Sequence, residues 1–178
     1  MRPDRTAQFT TLLEPATSML AGKAQHWADL GCGSAVFTAV LASLLPAESR
    51  VTAIDKVIQQ PEQAMDKYIP VSFVQADFEK DTLALEPVDG ILMANSFHYT
   101  RDKQSLIKKL EQHFKSKKQW LLVEYDSDIA NPWVPYPLSF KACEQLFRKA
   151  GYSSVKKLGS IASGFGGYMY AAFIDQSV

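Results

Sequence analysis

Residues 26–55 constrain the fold more tightly than any other part of the chain. The run "HWADLG" is apolar enough for a strand, Gly31 and Gly33 follow two apart, and "SAVFTAVLASLL" repeats apolar residues at helical spacing. The stretch "RVTAID" then returns to a strand pattern. A short apolar run, a glycine turn, a stretch of helical period and a second short apolar run predict strand, turn, helix and strand. Ser34 reads as the helix N-cap and Pro46 as its stop. Strands joined through a covering helix run parallel, and such a sheet binds its ligands at the carboxyl ends of the strands.

The same rhythm continues. "PEQAMDKY" (61–68) reads as a short helix with proline in its first turn, and "VSFVQAD" (71–77) as a strand. "VDGILMAN" (88–95) and "QWLLVEY" (119–125) are strands flanking a helix over "RDKQSLIKKLEQHF" (101–114). "SFKACEQLFRKAG" is a helix ended by Gly151, and "YSSVKKLGS" with "GYMYAAFI" forms a closing hairpin through the turn-rich "IASGFG". The expected architecture is a three-layer α/β/α sandwich around a mostly parallel seven-stranded sheet with a C-terminal antiparallel hairpin. One domain over 1–178 is expected: an N-terminal helical region (1–24), carrying Phe9, Leu12, Leu13, Ala16, Met19 and Leu20 on one face, and a Rossmann-like core (25–178).

Bulk properties bound the partners. A chain of 178 residues with 47% hydrophobic and 21% charged residues buries a core unaided. Lys plus Arg equals Asp plus Glu at 19 each, so the overall charge recruits neither nucleic acid nor an anionic membrane. The basic run "KKLEQHFKSKK" (108–118) reads as a solvated face at a helix end. Cys32 and Cys143 lack the paired spacing of a metal or disulfide framework, so no metal is expected and a reducing cytoplasmic compartment is. No uninterrupted apolar segment of signal-peptide or membrane-spanning kind is read.

Three of the strands end at or near an acidic residue, namely Asp29, Asp55 and Asp77, and a fourth ends in "ANSFHY". A dinucleotide fingerprint counted from Gly31 needs a sixth-position glycine and meets Val36 instead. The pattern acidic-x-G-x-G-x-G matches at Asp29, Gly31 and Gly33, with Ala35 in the last place. Here the sequence resembles the class I S-adenosylmethionine-dependent methyltransferases: "ADLGCGSA", "VTAID", "FVQADFE" and "VDGILMANSFHY" stand in the order and spacing of their successive motifs.

That resemblance implies S-adenosylmethionine as cofactor. It assigns the methionine end to Asp29, Gly31, Cys32, Gly33 and Asn95, the ribose to Asp55 beside Lys56, and the adenine to Asp77 and Phe78. Ala35 departs from the pattern; placed in the first helical turn with ordinary dihedrals, its methyl would cost little. The run Asn95-Ser96-Phe97-His98 lacks the prolines of amino-methyltransferases of nucleic acids and proteins and resembles the small-molecule branch.

His98 is the candidate general base, with Tyr99 assisting. The proline-rich "SDIANPWVPYPLS" (127–139) is the candidate substrate wall, through Trp133 and Tyr136. The expected activity is methyl transfer to a small molecule by a monomer or homodimer. The competing expectation is a catalytically inactive S-adenosylmethionine-binding module or partner subunit.

Overall fold

The computed structural model describes residues 5–57, 59 and 68–176. The helix expected over 61–68 lies outside the described residues, apart from Tyr68. Seven strands form one sheet: β1 (His26–Leu30), β2 (Arg50–Asp55), β3 (Val71–Gln75), β4 (Val88–Ala94), β5 (Phe114–Tyr125), β6 (Ser154–Ala162) and β7 (Tyr168–Asp175). Their spatial order is β3-β2-β1-β4-β5-β7-β6. The first five run parallel, and β7 inserts antiparallel between β5 and β6.

Two cores follow from the strand period, because successive side chains point to opposite faces. Leu30, Ile91, Met93, Trp120 and Leu122 pack on one face with α4 (Lys103–Leu110) and α5 (Phe140–Lys149). Trp27, Leu92, Leu121 and Val123 pack on the other, with α1 (Arg5–Leu13) and α3 (Val36–Leu44). A 3-10 turn at Glu14–Ala16, holding Pro15, and a short α2 (Thr17–Leu20) complete the N-terminal region. Phe9 of α1 stacks on Phe37 of α3 with ring centroids 4.3 Å apart, which fastens that region to the sheet. Gly90 of β4 lies opposite Trp27, and any side chain there would run into the indole.

Three boundaries differ from the sequence expectation. The helix expected to Phe114 ends at Leu110, passes through a 3-10 turn, and gives way to β5, which already begins at Phe114. Lys115, Lys117 and Lys118 therefore lie on a strand and not at a helix end, with Lys115 paired to Asp89 and Lys118 to Glu111. Ser34 does not cap α3. Ala35 is the N-cap, with no side-chain hydrogen bond to the helix. Ser139, by contrast, caps α5 by accepting from the Ala142 N–H. Among the described residues no helix is long and apolar enough to cross a membrane.

Candidate active site

The strand order reverses at β1, whose neighbours β2 and β4 continue the chain in opposite directions across the sheet. A crevice opens at the carboxyl ends of such strands. Asp29, the glycine turn, Asp55 and Asn95 all meet there.

The turn after β1 is built from glycine for two different reasons. Gly31 has φ +80°, and a Cβ there would collide with Ser96, whose hydroxyl donates to the Leu30 carbonyl. Gly33 has φ +51°, and a Cβ there would meet only Gln59 Nε2 at an ordinary 3.9 Å, so its dihedral alone requires glycine. The backbone N–H groups of Gly31 and Cys32 both donate to the Ile54 carbonyl, at 2.7 and 3.2 Å. Gly33 N–H donates to Asp55 Oδ2 at 2.9 Å, and Ala35 N–H to the Cys32 carbonyl at 2.8 Å. These amides are committed to the protein and do not form the nest of free donors that cradles a phosphate. The turn is suited to a ligand held by acceptors.

Ala35 corrects the sequence expectation. It is not in the first helical turn but at φ +63°, ψ +22°, the left-handed region that favours glycine. The Cys32–Ala35 turn must reverse the chain before α3 begins, and the dihedral follows from that geometry.

Acceptors converge on the turn. Asp29 is buried; one carboxylate oxygen accepts from Thr38 and the other, Oδ1, has no partner among the described residues. Burial pushes its carboxyl up to about 7, against the lowering bond from Thr38 and with a further push from the Asp55 charge. Asn95 stands at φ +53° with its Oδ1 also buried and unpartnered. Asp55 is half-buried, and each oxygen accepts one backbone N–H, from Gly33 and from Val57, leaving lone pairs over. Lys56 beside it is exposed.

Asp77 is more fully engaged: Oδ1 accepts from the N–H groups of Glu79 and Lys80, as a turn cap does. The Phe78 ring lies against Gly31. Lys109 fixes this loop by donating to the carbonyls of Phe78, Glu79 and Asp81 at 3.1, 2.9 and 2.8 Å. Cys32 is half-buried, with its thiol pushed up to about 12 by burial and by Asp29 and Asp55, so it stays protonated.

On the β4–β5 side lies a cavity of about 880 Å3, within the size range of small-molecule sites. Asn95, His98, Tyr99, Tyr125, Trp133 and Phe165 are among its walls. His98 is buried, and its Nδ1 lies 2.6 Å from Oε2 of Glu124, a fully buried carboxylate at the end of β5. Glu124 Oε1 accepts from the N–H groups of Phe97 and His98. With Nδ1 bound to a carboxylate it carries the proton, which leaves the Nε2 lone pair free. The hydrogen bond of the imidazole to Glu124 runs through Nδ1, and the ring borders the cavity. The Tyr99 ring lies 4.3 Å from the imidazole.

Of the two expected substrate residues, Trp133 lines the cavity and Tyr136 does not. Tyr136 acts through its backbone: its N–H donates to the His98 carbonyl at 3.0 Å, and its carbonyl accepts from Lys103 Nζ at 2.7 Å. Lys103 also donates to the Thr100 carbonyl, tying the 127–139 segment to the His98 turn. Sequence reasoning missed Glu124 and Lys103; "SGFGGYMY" (163–170) reads more readily as a tight turn than as a second substrate contact, yet its Phe165 and Tyr168 line the cavity. For Glu124 a signal existed, since an acidic residue inside the apolar run "QWLLVEY" is costly unless paired.

The sequence family described as a methyltransferase domain matches residues 28–117, half of the chain. The chain belongs to that family. It is thus a methyltransferase-class enzyme, and its sheet is that of class I methyltransferases. N-methyltransferase NodS from Bradyrhizobium japonicum WM9, solved with S-adenosylhomocysteine, aligns over 99% of this chain and 89% of its own at 17% identity and a TM-score of 0.72. The 1,6-didemethyltoxoflavin-N1-methyltransferase of Burkholderia thailandensis, solved with 1,6-didemethyltoxoflavin and S-adenosylhomocysteine, aligns over 98% of this chain and 82% of its own at 19% identity and a TM-score of 0.71. A SAM-dependent methyltransferase from Aquifex aeolicus aligns over 99% and 100% at 16% identity and a TM-score of 0.64. At these identities the likeness is one of fold. No curated protein sequence matches.

Proposed function

We propose that this methyltransferase moves a methyl group from S-adenosylmethionine to a small-molecule acceptor, with His98 as general base. The observation that carries the reading is the cavity of about 880 Å3. It reaches Asn95 at the end of β4, whose neighbour Ser96 packs against Gly31 of the glycine turn, and it holds His98 in its wall. A donor site and an acceptor site would thus adjoin.

The residues present fit the donor. Its ammonium would satisfy the unpartnered acceptors of Asp29 and Asn95. The glycine turn at Gly31, Cys32 and Gly33 would admit its methionine end, and Asp55, beside Lys56, would take the ribose hydroxyls. Asp77 and Phe78 would border the adenine, although the Asp77 carboxylate already caps its own turn. When bound, the cofactor supplies an electrophilic methyl on a sulfonium. The chain's part is to align the acceptor, keep water out and remove a proton. Glu124 orients His98 so that Nε2 faces that task, and Tyr99 borders it. Trp133 walls the acceptor side.

Direct support would come from a thermal shift with S-adenosylmethionine or S-adenosylhomocysteine, since a ligand that binds only the folded state raises its melting temperature. Asp55→Ala should abolish the shift. No shift in the wild type at millimolar ligand would end the reading.

A second reading has an observation of its own. Ala35 stands at φ +63°, where the family pattern has glycine, as a cofactor loop released from selection would tolerate. On that reading the chain binds cofactor without turnover; any measured methyl transfer excludes it. On the first reading the chain acts as a monomer or homodimer in the cytoplasm, and on the second as a binding module or partner subunit; in both, Cys32 and Cys143 would remain free thiols.

A further inference from the structure

The walls of the acceptor cavity have a chemistry of their own. Five aromatic rings line it: Tyr99, Tyr125, Trp133, Phe165 and Tyr168, drawn from four separate segments of the chain. Trp133 and Phe165 are 81% and 82% exposed, which is unusual for such large apolar side chains. Neither sits on a loose strand of chain. Trp133 rides on a turn in which Asn131 and Val134 exchange backbone hydrogen bonds and the Asn131 side chain accepts from the Trp133 and Val134 N–H groups. Phe165 rides on a turn closed by the Ser163 N–H donating to the Gly167 carbonyl and the Gly166 N–H to the Ser163 carbonyl. Two rings are therefore held out, on braced turns, beside a cavity already walled by tyrosines.

Charge narrows the occupant. Among the described residues no lysine or arginine lines the cavity; the Arg5 charge reaches Tyr125 from outside it, so an anionic acceptor gains no direct ion pair in the wall. The acidic wall residue, Asp126, is already used: Oδ2 pairs with Lys157 at 3.0 Å, and Oδ1 accepts from the Phe140 N–H. A cationic acceptor finds no free carboxylate there. The polar groups that face an occupant include the imidazole of His98, the Oδ1 of Asn95 and the hydroxyls of Tyr99, Tyr125 and Tyr168, which are neutral and suit an uncharged polar substituent.

From these walls we infer that the acceptor is a flat, uncharged aromatic molecule bearing one ionisable O–H or N–H, stacked among the cavity rings with that group at His98. This rests on the methyltransferase reading above and names its substrate class. A lone pair on the acceptor heteroatom forms the new bond to the methyl carbon, and the carbon–sulfur bond of the sulfonium donor breaks with its pair going to sulfur. The heteroatom proton passes to His98 Nε2. The positive charge lost at sulfur reappears on the imidazolium, beside the Glu124 carboxylate. Aromatic acceptors suit this pair because conjugation lowers the acidity gap to imidazole, whereas an aliphatic alcohol leaves the base far too weak.

Titration calorimetry of the full chain, with and without S-adenosylhomocysteine, tests the class. The probes are 2-naphthol, 7-hydroxycoumarin and 4-hydroxyquinoline, against decahydro-2-naphthol, 2-naphthoate and cyclohexylammonium. At least one hydroxyaromatic should bind tenfold or more tightly than all three controls. The double variant Trp133→Ala, Phe165→Ala should weaken it tenfold or more and leave S-adenosylhomocysteine affinity unchanged. Equal or tighter binding of a control, or no binding of any hydroxyaromatic, overturns the inference. Failure of S-adenosylhomocysteine to bind overturns the donor reading instead, and the probe titrations still decide the acceptor class.

Discussion

Glu124 and His98 form a buried pair, Oε2 to Nδ1 at 2.6 Å, across the junction between the end of β5 and the turn that follows β4. The same carboxylate accepts two backbone N–H groups from that turn, so it sets both the position of the ring and its tautomer. Glu124→Gln keeps an acceptor for the backbone but removes the charge opposite an imidazolium. It should lower kcat about 100-fold, within the usual worth of a positioned base. The S-adenosylhomocysteine dissociation constant should stay within twofold of wild type. Steady-state kinetics with calorimetry reads both, and an unchanged kcat would remove His98 from the proton path.

Asp29 makes stability depend on pH in a definite direction. Its folded carboxyl is pushed up to about 7 from 3.8, so between those values the folded state holds more protons than the unfolded one. Stability therefore falls as pH rises from about 4 to about 7 and levels off above. At 1.36 kcal/mol per pH step, the total loss is roughly 4 kcal/mol at most. Asp29→Asn should flatten this slope, with a melting-temperature advantage over wild type that widens from pH 5 to pH 8. Parallel curves for the two proteins would show that Asp29 is not the group responsible.

The parts legible in the sequence were those written in local periodicity. The short apolar run at Trp27, Ala28 and Leu30, bounded by Gly31, marks a strand buried on both faces, and the shift to helical spacing after Gly33 marks the turn. Asp55 could be placed because it ends such a run. What was illegible depends on partners distant in the chain. The left-handed Ala35 follows from a turn whose Gly31 and Cys32 amides are anchored to Ile54 on the next strand. Glu124 meets His98 from 26 residues away. Phe165 sits in "SGFGG", where the glycines describe the turn and conceal that it carries a cavity wall.

The dihedral of Ala35 sharpens what a glycine there would do. Relief of left-handed strain is worth about 1–2 kcal/mol. Against it stand about 0.4–1 kcal/mol of added freedom in the unfolded chain and about 0.8 kcal/mol for the buried methyl. The terms nearly cancel, so Ala35→Gly should change unfolding free energy by less than about 1 kcal/mol. Ala35→Val adds a β-branch to the same dihedral and should destabilise by about 2 kcal/mol or more. Urea unfolding of the two variants decides it. A tolerated valine would mean that the turn relaxes to ordinary dihedrals.

Lys103 links the 127–139 segment, which carries Trp133, to the turn that carries His98. Burial lowers its pKa, with Glu124 pulling the other way, and its ammonium donates to the carbonyls of Thr100 and Tyr136 at 2.7 Å each. Lys103→Met keeps the apolar stem and leaves both carbonyls short of a donor. The expected cost is about 1–3 kcal/mol of stability. The 127–139 segment should lose anchorage, since the remaining tie at Tyr136 is its N–H to the His98 carbonyl. Hydrogen exchange should show faster amides at Val134 and Tyr136 while those of β1 and β4 stay protected. Acceptor KM should rise more than kcat falls, because the wall holding Trp133 moves and the His98–Glu124 pair does not. Unaltered exchange in that segment would show that the wall stands without Lys103.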